Sequence, residues 1–234
     1  SSAASDVYKR QDSPELLRAH AHLLAKMGDM EAERDVLRLE ALGLDTPADR
    51  SLLSGLRARA GSRSEALEAI EEAIAEDPTQ AADWLSYANL LYEEGESSKA
   101  LDAADKCLEI DRQCGGAWAL TATILAPKQN RLKEALKAAI HAVALDSGGV
   151  DLVLLKADLL LADGQATAAE ESLVKSLEKD AMNGELRARI ATRYLLDGRP
   201  EDAQNLLDTT PVGIDHALLP VSYTHLRAHE TILD

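Results

Sequence analysis

The stretch Asp83-Trp-Leu-Ser-Tyr-Ala-Asn-Leu-Leu-Tyr-Glu-Glu-Gly-Glu-Ser-Ser-Lys-Ala-Leu-Asp-Ala-Ala-Asp-Lys-Cys-Leu-Glu-Ile-Asp111 carries two helical patterns separated by a turn. Before Gly95, residues Trp84, Tyr87, Ala88 and Leu91 fall at i, i+3, i+4 and i+7, one stripe of a 3.6-residue helix. After it, Ala100, Leu101, Ala104, Cys107 and Leu108 form the apolar face of a second helix. Gly tolerates the left-handed backbone that ends many helices, so an antiparallel helix pair joined at Gly95 is predicted.

The pattern recurs outward in both directions. Turn residues Gly28, Gly61, Gly95, Asn130, Gly164 and Gly198 follow at spacings of 33, 34, 35, 34 and 34. Seven residues before the turns, or eight at Asn130, stand Ala21, Ser54, Ala88, Ala122, Ala157 and Ala191, and five after all but the first stand Ala66, Ala100, Ala135, Ala169 and Ala203. The extra residue between Ala122 and Ala135 is placed in the turn Pro127-Lys-Gln-Asn130, where Asn is expected to replace Gly in a left-handed conformation. Ser62 followed by Glu65 predicts a capping box, and Pro200 a helix first turn. Asp77-Pro78, Asp111, Asp146 and Asp180 are expected to close the second helices.

These residues resemble the tetratricopeptide repeat (TPR) family, with Trp, Leu, a small residue and Tyr on the first helix, Gly at the turn, Ala on the second helix and Asp-Pro at the end. The resemblance covers units of about 14–46, 47–80, 81–114, 115–149, 150–183 and 184–217, and implies an all-α solenoid of about six helix-turn-helix repeats in a right-handed superhelix. The family's Trp column reads Leu17, Arg50, Trp84, Trp118, Val153 and Arg187. Its second-helix aromatic is replaced by Leu37, Ile70, Ala104, Ala139, Leu173 and Leu207. The outer units depart most and are expected to be imperfect or capping-like.

The resemblance further implies partner binding along a concave groove lined by first-helix residues. In register these are Arg18 and His22, then Leu85, Asn89 and Tyr92, then Ala119 and Thr123, then Leu154, Asp158 and Leu161, and Ala188, Thr192 and Leu195. Some of these leucines equally suit packing between repeats. The carboxylate clamp of chaperone-binding members is not expected, because Leu85 stands at the clamp Lys position and Thr123 and Asp158 at others.

Composition agrees with a helical interaction protein. The 234 residues carry a formal charge of −16, with 46% hydrophobic content, 3% aromatic and no Phe. That much apolar content can bury a core, whereas a disordered acidic tail would lack it. A basic nucleic-acid face is disfavoured, since phosphate contacts need clustered Lys and Arg. No phosphate-loop, nucleophile-elbow or dinucleotide motif is present, and His20 and His22, two apart, are poor joint metal ligands. No catalytic residue, cofactor or metal is expected, and Cys107 and Cys114 read as ordinary thiols. Glu65, Glu68, Glu72 and Glu76 form an acidic line, and Lys133, Lys137 and His141 a basic one. Solvated faces account for both, with docking of an acidic partner or a neighbouring copy on the basic line as the sharper alternative.

The termini differ from the rest. Residues 1–11 and 220–234 resemble translated sequencing-adapter peptide and are set apart as non-native, leaving 12–219 as the repeat region. The true N-terminus is then expected to lie upstream, so no leader can be judged, and a cytoplasmic setting is only the default. The function expected is a non-catalytic scaffold for a protein or peptide. The alternative is the recruitment region of a larger, truncated enzyme or envelope- or secretion-assembly protein.

Overall fold

A computed structural model describes residues 13–145 and 149–208. Among them are twelve α-helices and no strand: α1 Pro14–Met27, α2 Ala32–Ala41, α3 Pro47–Ala60, α4 Arg63–Glu76, α5 Ala81–Glu93, α6 Ser97–Ile110, α7 Gly115–Leu125, α8 Leu132–Ala144, α9 Gly149–Ala162, α10 Ala166–Lys179, α11 Gly184–Leu196 and α12 Pro200–Asp208. Asp146 and both terminal segments lie outside the described residues. The chain divides into two compact units, one running to Leu120 and the other from Thr121, with the division inside α7.

In the first unit each helix packs on its sequence neighbour from α1 to α6, and the first helices of successive repeats also touch, α1 on α3 and α3 on α5. In the second unit α8 packs on α9, α9 on α10, α10 on α11 and α11 on α12. This order follows from the small columns: Ala21, Ser54, Ala88, Ala122, Ala157 and Ala191 are all buried, as are Ala66, Ala100, Ala135, Ala169 and Ala203. Small side chains let the two backbones of each pair approach, and longer ones beside them fill the remaining space. Ser54 fits the column because its hydroxyl donates to the Ala66 carbonyl at 2.8 Å, so the polar atom is satisfied where it is buried.

The turns follow the expected chemistry at five of six positions. Gly28, Gly61, Gly95, Gly164 and Gly198 have φ between 73° and 84°. Asn130 does not act as a glycine substitute. It sits in a 3-10 helix, Gln129–Arg131, after α7 has already ended at Leu125. The extra residue is taken up as this tighter turn leading into α8.

Two other expectations are corrected. Ser62 precedes α4 without a side-chain cap, whereas a reciprocal capping box forms one helix earlier, at Thr46 and Asp49 of α3. In the first repeat, Leu37 is exposed and Val36 is buried, while Ala32 is fully buried four residues after Gly28. The 33-residue spacing is thus absorbed between Gly28 and α2, which shifts that helix's inward face by one residue.

The Trp column shows what its position requires. Trp84 Nε1 donates to the Pro78 carbonyl and Trp118 Nε1 to the Arg112 carbonyl, both at 2.9 Å and six residues upstream. Arg187 repeats the bond, Nε to the Ala181 carbonyl at 3.0 Å. A long stem with a donor at its end serves the site, so Arg replaces Trp without leaving the loop carbonyl unpaired.

Candidate functional site

Helix α5 carries Leu85, Asn89 and Tyr92 on adjacent turns of one face. Leu85 is half-buried and its Cδ2 lies 2.8 Å from where a Cβ on Gly116 would stand. Gly116 therefore admits Leu85 against the start of α7, and this leucine contributes to packing between repeats. Asn89 and Tyr92 are exposed, and neither side chain has a hydrogen-bond partner among the described residues. The other aromatic groups of α5 are engaged: Tyr87 donates to Glu71 at 2.9 Å and its ring stands edge-on to Trp84 with centroids 6.3 Å apart. Burial raises the Tyr87 phenol pKa above its ordinary value, and the Glu71 bond adds to the shift.

On α1, His22 is exposed, whereas Arg18 is committed. Arg18 Nε donates to Asp49 Oδ2 at 2.8 Å, and its Nη2 donates to the Leu44 carbonyl. Asp49 also accepts from the Thr46 amide and hydroxyl at 2.9 and 2.8 Å, so one carboxylate caps α3 and joins two repeats.

In the second unit, Thr123 is exposed on α7, Leu154 is buried in α9 and Leu161 is half-buried. Asp158 is exposed and paired with Arg189 at 2.9 Å. Thr192 turns its hydroxyl onto the Ala188 carbonyl at 2.8 Å, and Leu195 packs beside Ala191, Ala203 and Leu207. The register thus gathers residues of three kinds: exposed and unpaired, exposed but paired, and buried. Periodicity places a residue on a helix face but does not say which neighbour reaches it.

Lys133 and Lys137 are exposed on α8 without ion-pair partners among the described residues, and His141 is exposed one turn further on. The acidic line of α4 is partly neutralised. Arg50 Nη1 meets Glu76 at 2.5 Å, and Arg57 meets Glu65 at 3.5 Å. Among the described residues no three His, Cys, Asp or Glu side chains converge as a metal site. No described helix is long and apolar enough to cross a membrane. Cys107 is buried beside Cys114, and burial, followed by the Cys114 contact, pushes its thiol to a pKa of about 12, far from a reactive thiolate.

No family model matches the chain, and no curated protein is similar to it in sequence. Similar solved structures include a tetratricopeptide repeat protein from Parabacteroides merdae, 19% identical with a TM-score of 0.65 over 85% of this chain and 78% of that one. They also include YrrB, a TPR protein with an unusual peptide-binding site, at 17% identity and a TM-score of 0.60 over 78% and 94% of the two chains. A third is MamA from Desulfovibrio magneticus, at 18% and 0.60 over 70% and 92%. The fold of this chain is the tetratricopeptide repeat fold.

Proposed function

We propose that this protein is a non-catalytic interaction scaffold, binding a peptide or partner protein along the first-helix surface of its repeats. The observation that carries the reading is the exposed pair on α5, Asn89 and Tyr92, with no partner for amide or hydroxyl among the described residues. An Asn amide can both donate to and accept from a peptide backbone, and a Tyr ring adds contact area at low entropic cost. His22 on α1 supplies a further exposed polar group. In the second unit Asp158 and Thr123 offer polar contacts, and Leu161 and Leu195 partly exposed apolar ones. The peptide-binding site named for YrrB is consistent with such use of the fold.

The test is a peptide array probed with the wild-type chain and with Asn89→Ala and Tyr92→Ala. A retained subset of peptides that loses at least tenfold in signal with both variants, at unchanged circular dichroism, supports the reading. Identical binding by all three proteins removes it. The ammonium groups of Lys133 and Lys137 supply a second contact for acidic segments, and reversing both to Glu should remove acidic peptides from the retained subset.

A further inference from the structure

Within the second unit, α8, α9 and the C-terminal half of α10 line an open pocket of about 460 Å³. That volume falls in the range of about 300–1,000 Å³ typical of small-molecule sites. Ile140 and Val143 of α8 and Val150 and Val153 of α9 give it an aliphatic wall. Lys156 of α9 and Lys175 of α10 bring two ammonium groups to the same space, and neither has a hydrogen-bond or ion-pair partner among the described residues.

Desolvation falls on one of these two ammonium groups. Lys156 is partly buried, and its pKa is held below the ordinary lysine value first by desolvation and then by the like charge of Lys175. Among the described lining residues the carboxylate is that of Asp180, which accepts from Asn183 Nδ2 at 3.2 Å. Among the described lining residues basic groups therefore outnumber acidic ones, in a chain carrying −16 overall. Ser172 and Ser176, one turn apart on α10, add hydroxyl donors to the lining.

We propose that this cavity binds a carboxylate carried on a short aliphatic chain, the carboxylate between Lys156 and Lys175 and the chain against the Ile140 and valine wall. A bare inorganic anion would leave that wall uncovered, and an uncharged aliphatic molecule would leave both ammonium groups unneutralised. The site is separate from the α5 surface and does not depend on it. A free organic acid and the C-terminal residue of a polypeptide both present this chemistry.

The experiment is calorimetric titration of the full chain with hexanoate, hexanol, inorganic phosphate, and a dipeptide ending in Leu as free acid or as amide. Saturable binding of hexanoate or the free-acid dipeptide is expected, at least tenfold tighter than hexanol, phosphate or the amide. Lys156→Met and Lys175→Met should each weaken it at least tenfold with unchanged circular dichroism. Lys175 is exposed, so its variant carries the test even if Lys156→Met perturbs folding. A preference for hexanoate assigns the site to free acids, and a preference for the dipeptide to a partner's terminus. Absence of saturable binding, equal binding of hexanol or phosphate, or undiminished binding by Lys175→Met overturns the proposal.

Discussion

Both units join successive repeats with arginine ion pairs, and the pairs Arg18–Asp49 and Arg189–Asp158 differ in hydration. In the first, the Arg18 side chain is 29% exposed and its partner Asp49 only 2%. In the second, Arg189 and Asp158 are 45% and 48% exposed. Arg187, a buried arginine of the second unit, binds no carboxylate among the described residues. It donates instead to the Ala181 and Leu206 carbonyls. The same residue type is thus a dry ion-pair partner, a wet one or a carbonyl clamp. A pair in water gains little, while breaking a desolvated one strands a charge.

The sharpest way to break this comparison is Asp49→Ala, which removes the carboxylate half of the α3 capping box and leaves Arg18 facing a vacancy. Urea unfolding should show a loss of about 3 kcal/mol. Arg187→Ala should cost about 2 kcal/mol, since two carbonyls lose a charged donor. Asp158→Ala should lie within about 0.5 kcal/mol of wild type in the same assay. A loss at Asp158 equal to that at Asp49 would show that hydration does not separate the units.

The finest test uses pH. Asp83 is buried at the start of α5, and desolvation raises its carboxyl pKa above 3.8, partly offset by the Ser51 hydrogen bond. The folded state therefore holds this proton more tightly than the unfolded state. Its contribution to stability falls as pH rises from the ordinary aspartate pKa through the raised one. Asp83→Asn should gain thermal stability relative to wild type between pH 3 and pH 7. A gap that shrinks over that interval would mean that burial does not govern this group.

Most of the fold was legible because repetition multiplies a weak signal. One small residue in place could be chance, but six in register in one column and five in the other, all buried, are not. Besides the capping box at Ser62, errors fell where the period itself changed. The first repeat is one residue short after Gly28, so Ala32 and Val36 rather than Glu33 and Leu37 face inward. The fourth is one residue long, and a 3-10 turn absorbs Asn130. The candidate surface was less legible. Asn89 and Asp158 hold the same place in the helical register, yet among the described residues Asp158 is paired with Arg189 and Asn89 has no partner, because neighbouring helices reach them differently.

The sequence by itself determined the helix pairs, their turns and the small columns at which they meet, because periodicity, glycine conformation and side-chain volume are local properties. Tertiary structure alone decided which charges are dry, which groove residues are already occupied, and that Lys156, Lys175 and an aliphatic wall share one cavity. Those outcomes depend on desolvation and on distances between residues far apart in the chain, which no spacing along it encodes.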